Sequence, residues 1–182
     1  MQRFFQPQTT ASDNIHLRTP STADGVRVHE LIARCPPLDM NSMYCNLLQC
    51  SLFSGTCVIA EADERLLGFV SGFVSPDQPH TLFIWQIAVA SEARGTGLAR
   101  SMLQSLLKRP ACEGVSHLQT TITPGNLASW ALFGSLARVL DTGIKSRVLF
   151  DRKQHFADRH DTEMLVTVGP FASSPAATAS IA

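Results

Sequence analysis

Apolar positions along this chain repeat with two different periods, and the changes of period mark out its elements. Residues 15–18 have the pattern of a short strand. Residues 19–34 then place Val28, Leu31 and Ile32 at helical steps behind Thr19, Ser21 and Thr22, whose hydroxyls suit a helix N-terminus, until Pro36-Pro37 stops the helix. A shorter helix is predicted over 42–50, where Tyr44, Leu47 and Leu48 recur at three- and four-residue steps after Asn41 as a cap candidate. The period then changes. Residues 56–61 and 66–74 are strand-like runs joined by the polar Ala62-Asp63-Glu64-Arg65, a hairpin signature. A Pro- and Asp-containing loop over 76–79 leads into Thr81 to Val89 (TLFIWQIAV), which has the continuous apolar character of a buried central strand. Residues 98–109 carry Leu98, Met102, Leu103, Leu106 and Leu107 on one helical face, closed by Pro110. Strand pattern returns at 115–123, helix at 126–138, and two further strands at 141–150 and 164–168. The order β-α-α-β-β-β-α-β-α-β-β predicts an α+β domain: a mixed, mostly antiparallel sheet of six to seven strands with helices on both faces.

Composition changes this picture little. At 182 residues the chain fits one domain with a sizeable core, predicted over 15–168. The polar segment 1–14 and the Ser/Ala-rich segment 169–182 are expected to be flexible. Fifteen basic and fifteen acidic residues cancel, and no basic stripe interleaves with aromatics, so neither nucleic acid nor an anionic membrane is an expected partner. A small-molecule substrate is. The cysteines (Cys35, Cys45, Cys50, Cys57, Cys112) are odd in number, lack C-x-x-C spacing and lie mostly in apolar runs, which suits reduced, buried thiols. With no signal-like apolar stretch at the N-terminus and no span-length segment, a cytoplasmic location is expected.

The candidate chemistry begins at Arg94-Gly95-Thr96-Gly97-Leu98-Ala99. A strand, a polar turn, a glycine-rich stretch and an amphipathic helix together form an anion site, where free backbone N–H groups and the positive helix end converge. Gly95 and Gly97 lack the Cβ atoms that would keep a pyrophosphate from the backbone, and Arg94 adds a charge beside it. A P-loop requires Lys-Ser/Thr after its glycines, whereas Leu98-Ala99 stands here, and a dinucleotide fingerprint needs a small residue where Arg100 stands. A plain glycine turn with a solvated arginine is the competing reading.

The spacing R-x-x-G-x-A, met by Arg94, Gly97 and Ala99, resembles the signature of the GNAT acetyltransferases. That resemblance implies the GNAT fold and acetyl-CoA as cosubstrate. It also implies main-chain contacts to the pantetheine arm from the fourth strand around Ile87, Ala88 and Val89, and a further contact from Asn126. Many members place a tyrosine seven residues after that asparagine to protonate the departing thiolate. Here the position is Phe133, which the resemblance implies would line the cofactor but which has no proton to give. The segments PPLDMNSMYCNLLQC, TLFIWQIAV, ARGTGLA and TTITPGNLASWALFGSLAR are similar, more closely, to the diaminobutyrate acetyltransferases of ectoine biosynthesis. This second resemblance implies transfer of acetyl to the γ-amino group of L-2,4-diaminobutyrate, and a homodimer. The alternatives are another small amine or amino acid as acceptor, or a CoA-binding module without activity.

An amine is mostly protonated at neutral pH and must lose a proton before it attacks a thioester, so the site needs a base. A diamine also calls for carboxylates and an aromatic face. Asp39, Tyr44, Trp85 and Glu163 are the acceptor-site candidates, with Glu163 as base; Tyr44, the chain's one tyrosine, or a water protonates the departing sulfur, or CoA leaves as a thiolate stabilised by its surroundings. Each has a plainer reading. Trp85 would share a sheet face with Ile87 but could be a core tryptophan, Asp39 or Asn41 could simply cap the second helix, and Glu163 could sit on a solvated hairpin edge. His155 and His160 with Asp158 and Asp161 match no common metal spacing and are expected in a solvated loop.

Overall fold

A computed structural model of the chain describes residues 15–172. Segment 1–14 and residues 173–182, both expected to be flexible, lie outside the described residues. The remainder of the second flank is tied down. Gly169 N–H donates to Gly143 C=O at 3.2 Å, Phe171 N–H donates to Ser116 C=O at 2.9 Å, and the Phe171 side chain is buried.

The seven strands are β1 (His16–Arg18), β2 (Val58–Ala62), β3 (Arg65–Ser75), β4 (Gln78–Val89), β5 (His117–Ile122), β6 (Ile144–Phe150) and β7 (Glu163–Val168), in the spatial order β1-β2-β3-β4-β5-β7-β6. The helices are α1 (Gly25–Ala33), α2 (Met43–Cys50), α3 (Leu98–Leu107) and α4 (Leu127–Val139). Every pairing is antiparallel except β4 with β5, the two strands that the α3 crossover connects. The expected α+β architecture is the observed one.

Local chemistry accounts for the boundaries. Asp63 and Glu64 both take positive φ, 48° and 62°, as a tight hairpin twisted to match its strands requires. Ser75 pairs with Gln78, so only Pro76-Asp77 turn the chain, and β4 starts before Thr81. Gln78, Pro79 and His80 are exposed and carry no apolar pattern, so ladder pairing with β3, not hydrophobicity, extends the strand. Ser42, rather than Asp39 or Asn41, caps α2, its hydroxyl accepting from Cys45 N–H at 3.1 Å. α3 ends at Leu107 because Pro110 forces Arg109 into an extended conformation, φ −80° and ψ 151°.

The two sheet faces carry different helices. Gly68 lies opposite Val89, and a Cβ placed on it would come within 2.7 Å of Met102 Cε, so α3 covers that face closely. α1 packs on β3 and β4 and against α2. Phe69, Leu31, Ile32, Ile59, Leu82, Met102, Leu106 and Leu118 are fully buried between these layers. At the outer edge, Arg18 of β1 bridges Asp24 (2.8 Å) and Glu61 of β2 (2.7 Å), and Arg27 of α1 reaches the same two carboxylates. No helix among the described residues is long and apolar enough to cross a membrane.

Candidate active site

The parallel pairing of β4 and β5 covers only Thr81↔His117, Leu82↔Leu118 and Phe83↔Gln119. Beyond it β4 continues on β3 and β5 on β7, so the two strands part and open a cleft between residues 84–89 and 120–122. Ala90 N–H donates to Leu67 C=O on β3 at 2.8 Å. By strand alternation the main-chain groups of Ala88 also face β3, while those of Ile87 and Val89 face the cleft. Ala88 is also fully buried by its side chain, and the Val89 C=O is engaged by Arg94 and Cys35, so of the three expected residues only Ile87 and the Val89 N–H offer main-chain groups to a ligand.

At the mouth of the cleft, Gly95 and Gly97 have φ of +77° and +86°, and Gly97 is the N-cap of α3. No side chain caps this helix, and its first intrahelical bond is Ser101 N–H to Gly97 C=O, so the N–H groups of Leu98, Ala99 and Arg100 have no acceptor within the helix. A Cβ on Gly95 would meet nothing within 4 Å. Open space over unpaired N–H groups at a positive helix end fits a pyrophosphate, and a straight cleft edged by strand N–H and C=O groups fits a pantetheine arm. The Thr96 hydroxyl donates to Ala93 C=O at 2.8 Å and stiffens the turn, and Leu98 points into the core.

The cation is placed differently from the expectation. Arg94 folds back, its Nε donating to Val89 C=O at 3.1 Å, while Cys35 Sγ donates to the same oxygen at 3.3 Å. Arg100, in the first turn of α3, has a guanidinium nitrogen 3.7 Å from where a Gly97 Cβ would stand and donates to Ser135 Oγ at 3.0 Å. Sequence reasoning used Arg100 only to exclude a dinucleotide fingerprint. Its place three residues after the capping glycine was the available signal.

Glu163 is the first residue of β7, an interior strand, and not a solvated edge. Its side chain is 17% exposed, and Oε2 is buried with no hydrogen-bond partner. Burial raises its pKa above the usual carboxylate range. The Asp39 and Asp161 charges add to this, while the Thr121 hydroxyl and His160 oppose it. His160 Nε2 stands 3.8 Å from Oε1. Asp39, exposed on the α1–α2 connection, is thus close enough to act electrostatically on Glu163, although the two lie far apart in sequence.

Trp85 is 50% exposed, which removes the core reading. It is also the extra residue of a β-bulge, since Ser71 pairs with Gln86 and the next pair is Gly72 with Ile84. The alternation that assigned it to the face of Ile87 does not carry across a bulge, which re-aims the side chain. Tyr44 is 69% exposed near the start of α2. Asn126 caps α4, its Oδ1 accepting from Ser129 N–H at 3.1 Å, which leaves its amide NH2 for a ligand. Phe133 is buried in the core at 2% exposure. Gln86, which sequence reasoning passed over, joins Asn41 and the Asp39 carbonyl.

Burial pushes the thiols of Cys50 and Cys112 up to about 11 and that of Cys57 to about 12, too high for nucleophiles at neutral pH. His155 Nδ1 accepts from Asp151 N–H at 2.8 Å, and Arg152 pairs with Asp158 and Asp161, so the 151–162 loop is knit by its own polar groups. Among the described residues no three His, Cys, Asp or Glu side chains converge as metal ligands would.

A family model described as Acetyltransferase (GNAT) family matches residues 26–137. The chain belongs to the GNAT acetyltransferase family. Among its GNAT relatives, the L-2,4-diaminobutyric acid acetyltransferase of Methylotuvimicrobium alcaliphilum is 56% identical over 91% of this chain and 96% of its own. That of Vibrio cholerae is 48% identical over 86% and 90%. The solved diaminobutyrate acetyltransferase of Paenibacillus lautus, in complex with its substrate L-2,4-diaminobutyric acid and coenzyme A, is 40% identical. It superimposes with a TM-score of 0.83 over 89% of this chain and 98% of that one. The ribosomal-protein-S18-alanine N-acetyltransferase of Escherichia coli, 17% identical with a TM-score of 0.64, shares the GNAT fold.

Proposed function

We propose that this chain transfers the acetyl group of acetyl-CoA to the γ-amino group of L-2,4-diaminobutyrate, giving N-γ-acetyl-diaminobutyrate for ectoine synthesis. The observation that carries the reading is the likeness, over about nine-tenths of the chain, to enzymes of that name, one of them solved with this diamine and coenzyme A. The site is chemically consistent with it. Acetyl-CoA supplies the acetyl group as a thioester, so a nitrogen–carbon bond forms as the carbon–sulfur bond breaks. The loop Arg94 to Ala99 and the strand groups of Ile87 and Val89 hold the cosubstrate, with the Asn126 amide beside it.

Glu163, poised above the ordinary carboxylate range, takes the proton from the γ-ammonium, since a base works best when its pKa lies near the operating pH. Asp39 balances the second ammonium, and the exposed indole of Trp85 offers it a π face. Buried Phe133 gives the departing sulfur no proton, which leaves the hydroxyl of Tyr44 or a water to do so. The protein works in the cytoplasm under osmotic stress, as a homodimer.

Free thiol release, followed with diaminobutyrate, ornithine, lysine and 4-aminobutyrate as acceptors, tests this directly. Diaminobutyrate should be turned over best, with the acetyl group on the γ nitrogen by NMR. A better acceptor among the others would replace the substrate, and acetyl-CoA binding without acceptor-dependent thiol release would make the chain a binding module.

A further inference from the structure

Gln86 follows the bulged Trp85 and is only 8% exposed. Both ends of its amide are engaged: Nε2 donates to Asp39 C=O at 2.8 Å, and Oε1 accepts from Asn41 Nδ2 at 2.9 Å. Residues 39–41 belong to no helix or strand, and Asp39 and Met40 are exposed, so these two bonds are what ties them to the sheet. Segments of this kind wander unless hydrogen bonds pin them.

The side chain at this position must donate to a carbonyl and accept from an amide at once. Among neutral side chains of this length only glutamine does both. A carboxylate would lose the donor and add a charge beside Asp39, and an asparagine is one methylene short.

The consequence reaches the acceptor. Asp39 acts electrostatically on Glu163, so the placement of its backbone bears on the spacing between the two carboxylates. We infer that Gln86 is a positioning residue for the acceptor, holding Asp39 opposite Glu163 at a spacing suited to a diamine. This rests on diaminobutyrate being the acceptor.

The test uses Gln86→Met, of equal length but without hydrogen bonds, with Asn41→Ala and the double variant, each assayed by thiol release and by thermal unfolding. Gln86→Met should raise the KM for diaminobutyrate about tenfold and leave the KM for acetyl-CoA unchanged. Asn41→Ala should raise it less. The double variant should be no worse than Gln86→Met, because both bonds meet in one amide. An unchanged diaminobutyrate KM in Gln86→Met, equal rises in both KM values, or additive effects in the double variant would each overturn the inference. Loss of both substrates' affinity together with a collapsed melting transition counts as an equal rise. Wild-type protein inert toward diaminobutyrate overturns the functional reading first, and the inference with it, before any variant is made.

Discussion

Burial lifts the Glu163 carboxyl above its ordinary value, and the Asp39 charge lifts it further. A base with a raised pKa is active only when deprotonated, so kcat/KM should fall as pH drops through a value above the ordinary glutamate range. Asp39→Asn removes a like charge, which lowers the Glu163 pKa and moves this acid limb to lower pH, with Asp161, His160 and Thr121 still facing the group. A limb that stays in place in Asp39→Asn, or moves upward, would separate the two carboxylates. Glu163→Gln should lower kcat by roughly 100-fold or more. It should also raise the melting temperature at neutral pH. A carboxyl with a raised folded pKa contributes stability at pH below its unfolded pKa and loses that contribution as pH rises through the folded one, whereas the amide has no charge to bury. The gain should vanish near pH 4, the ordinary glutamate value. Lower stability of Glu163→Gln at neutral pH would mean that the Thr121 hydroxyl and His160 outweigh the cost of burying the charge.

At the scale of elements, the start of α3 carries the cosubstrate. Gly97→Val forces a β-branched residue to φ +86°, at about 1–2 kcal/mol of backbone strain, and puts carbon over the unpaired N–H groups. The KM for acetyl-CoA should rise about tenfold or more while that for diaminobutyrate holds, in initial-rate measurements at saturating second substrate. Equal acetyl-CoA affinity in this variant would remove the loop from the site. The loop was legible in the sequence because glycine spacing, a preceding strand and a following amphipathic helix are local features. The eleven α-helices and strands of the described residues were legible in order for the same reason. What escaped is long-range or silent in residue type. The bulge at Trp85 has no compositional mark, and β7 slots between β5 and β6 through pairings that no local period encodes. The double role of Gln86 depends on a segment more than 40 residues earlier. The closeness of Asp39 to Glu163 could be guessed only through family resemblance.

At the scale of the whole molecule, stability and chemistry occupy different parts of the sheet. Asp24 is 2% exposed and accepts from Arg18 at 2.8 Å through each oxygen, from Arg27 at 3.2 Å, and from the Ser21 N–H and hydroxyl. The Arg18 hydrogen bonds hold its carboxyl down at about 2 against the effect of burial. A carboxyl with a depressed folded pKa contributes stability at pH above its unfolded value and loses it as pH falls through the folded one, so this contribution is full at neutral pH and drains away between about 4 and 2. Asp24→Asn keeps the shape but leaves two arginines facing an uncharged amide, at a cost of about 2–3 kcal/mol, because both guanidinium groups remain about a third exposed and partly hydrated. Urea unfolding at pH 7 should show that loss, and the gap from wild type should narrow progressively as the pH is lowered toward 3. The kcat at 20 °C should stay close to wild type, since β1 lies three strands from β4, about 14 Å across the sheet. A variant that unfolds as wild type does at pH 7 would reduce the network to surface ion pairs, and one that folds normally yet loses turnover would mean that the outer edge of the sheet is coupled to the cleft.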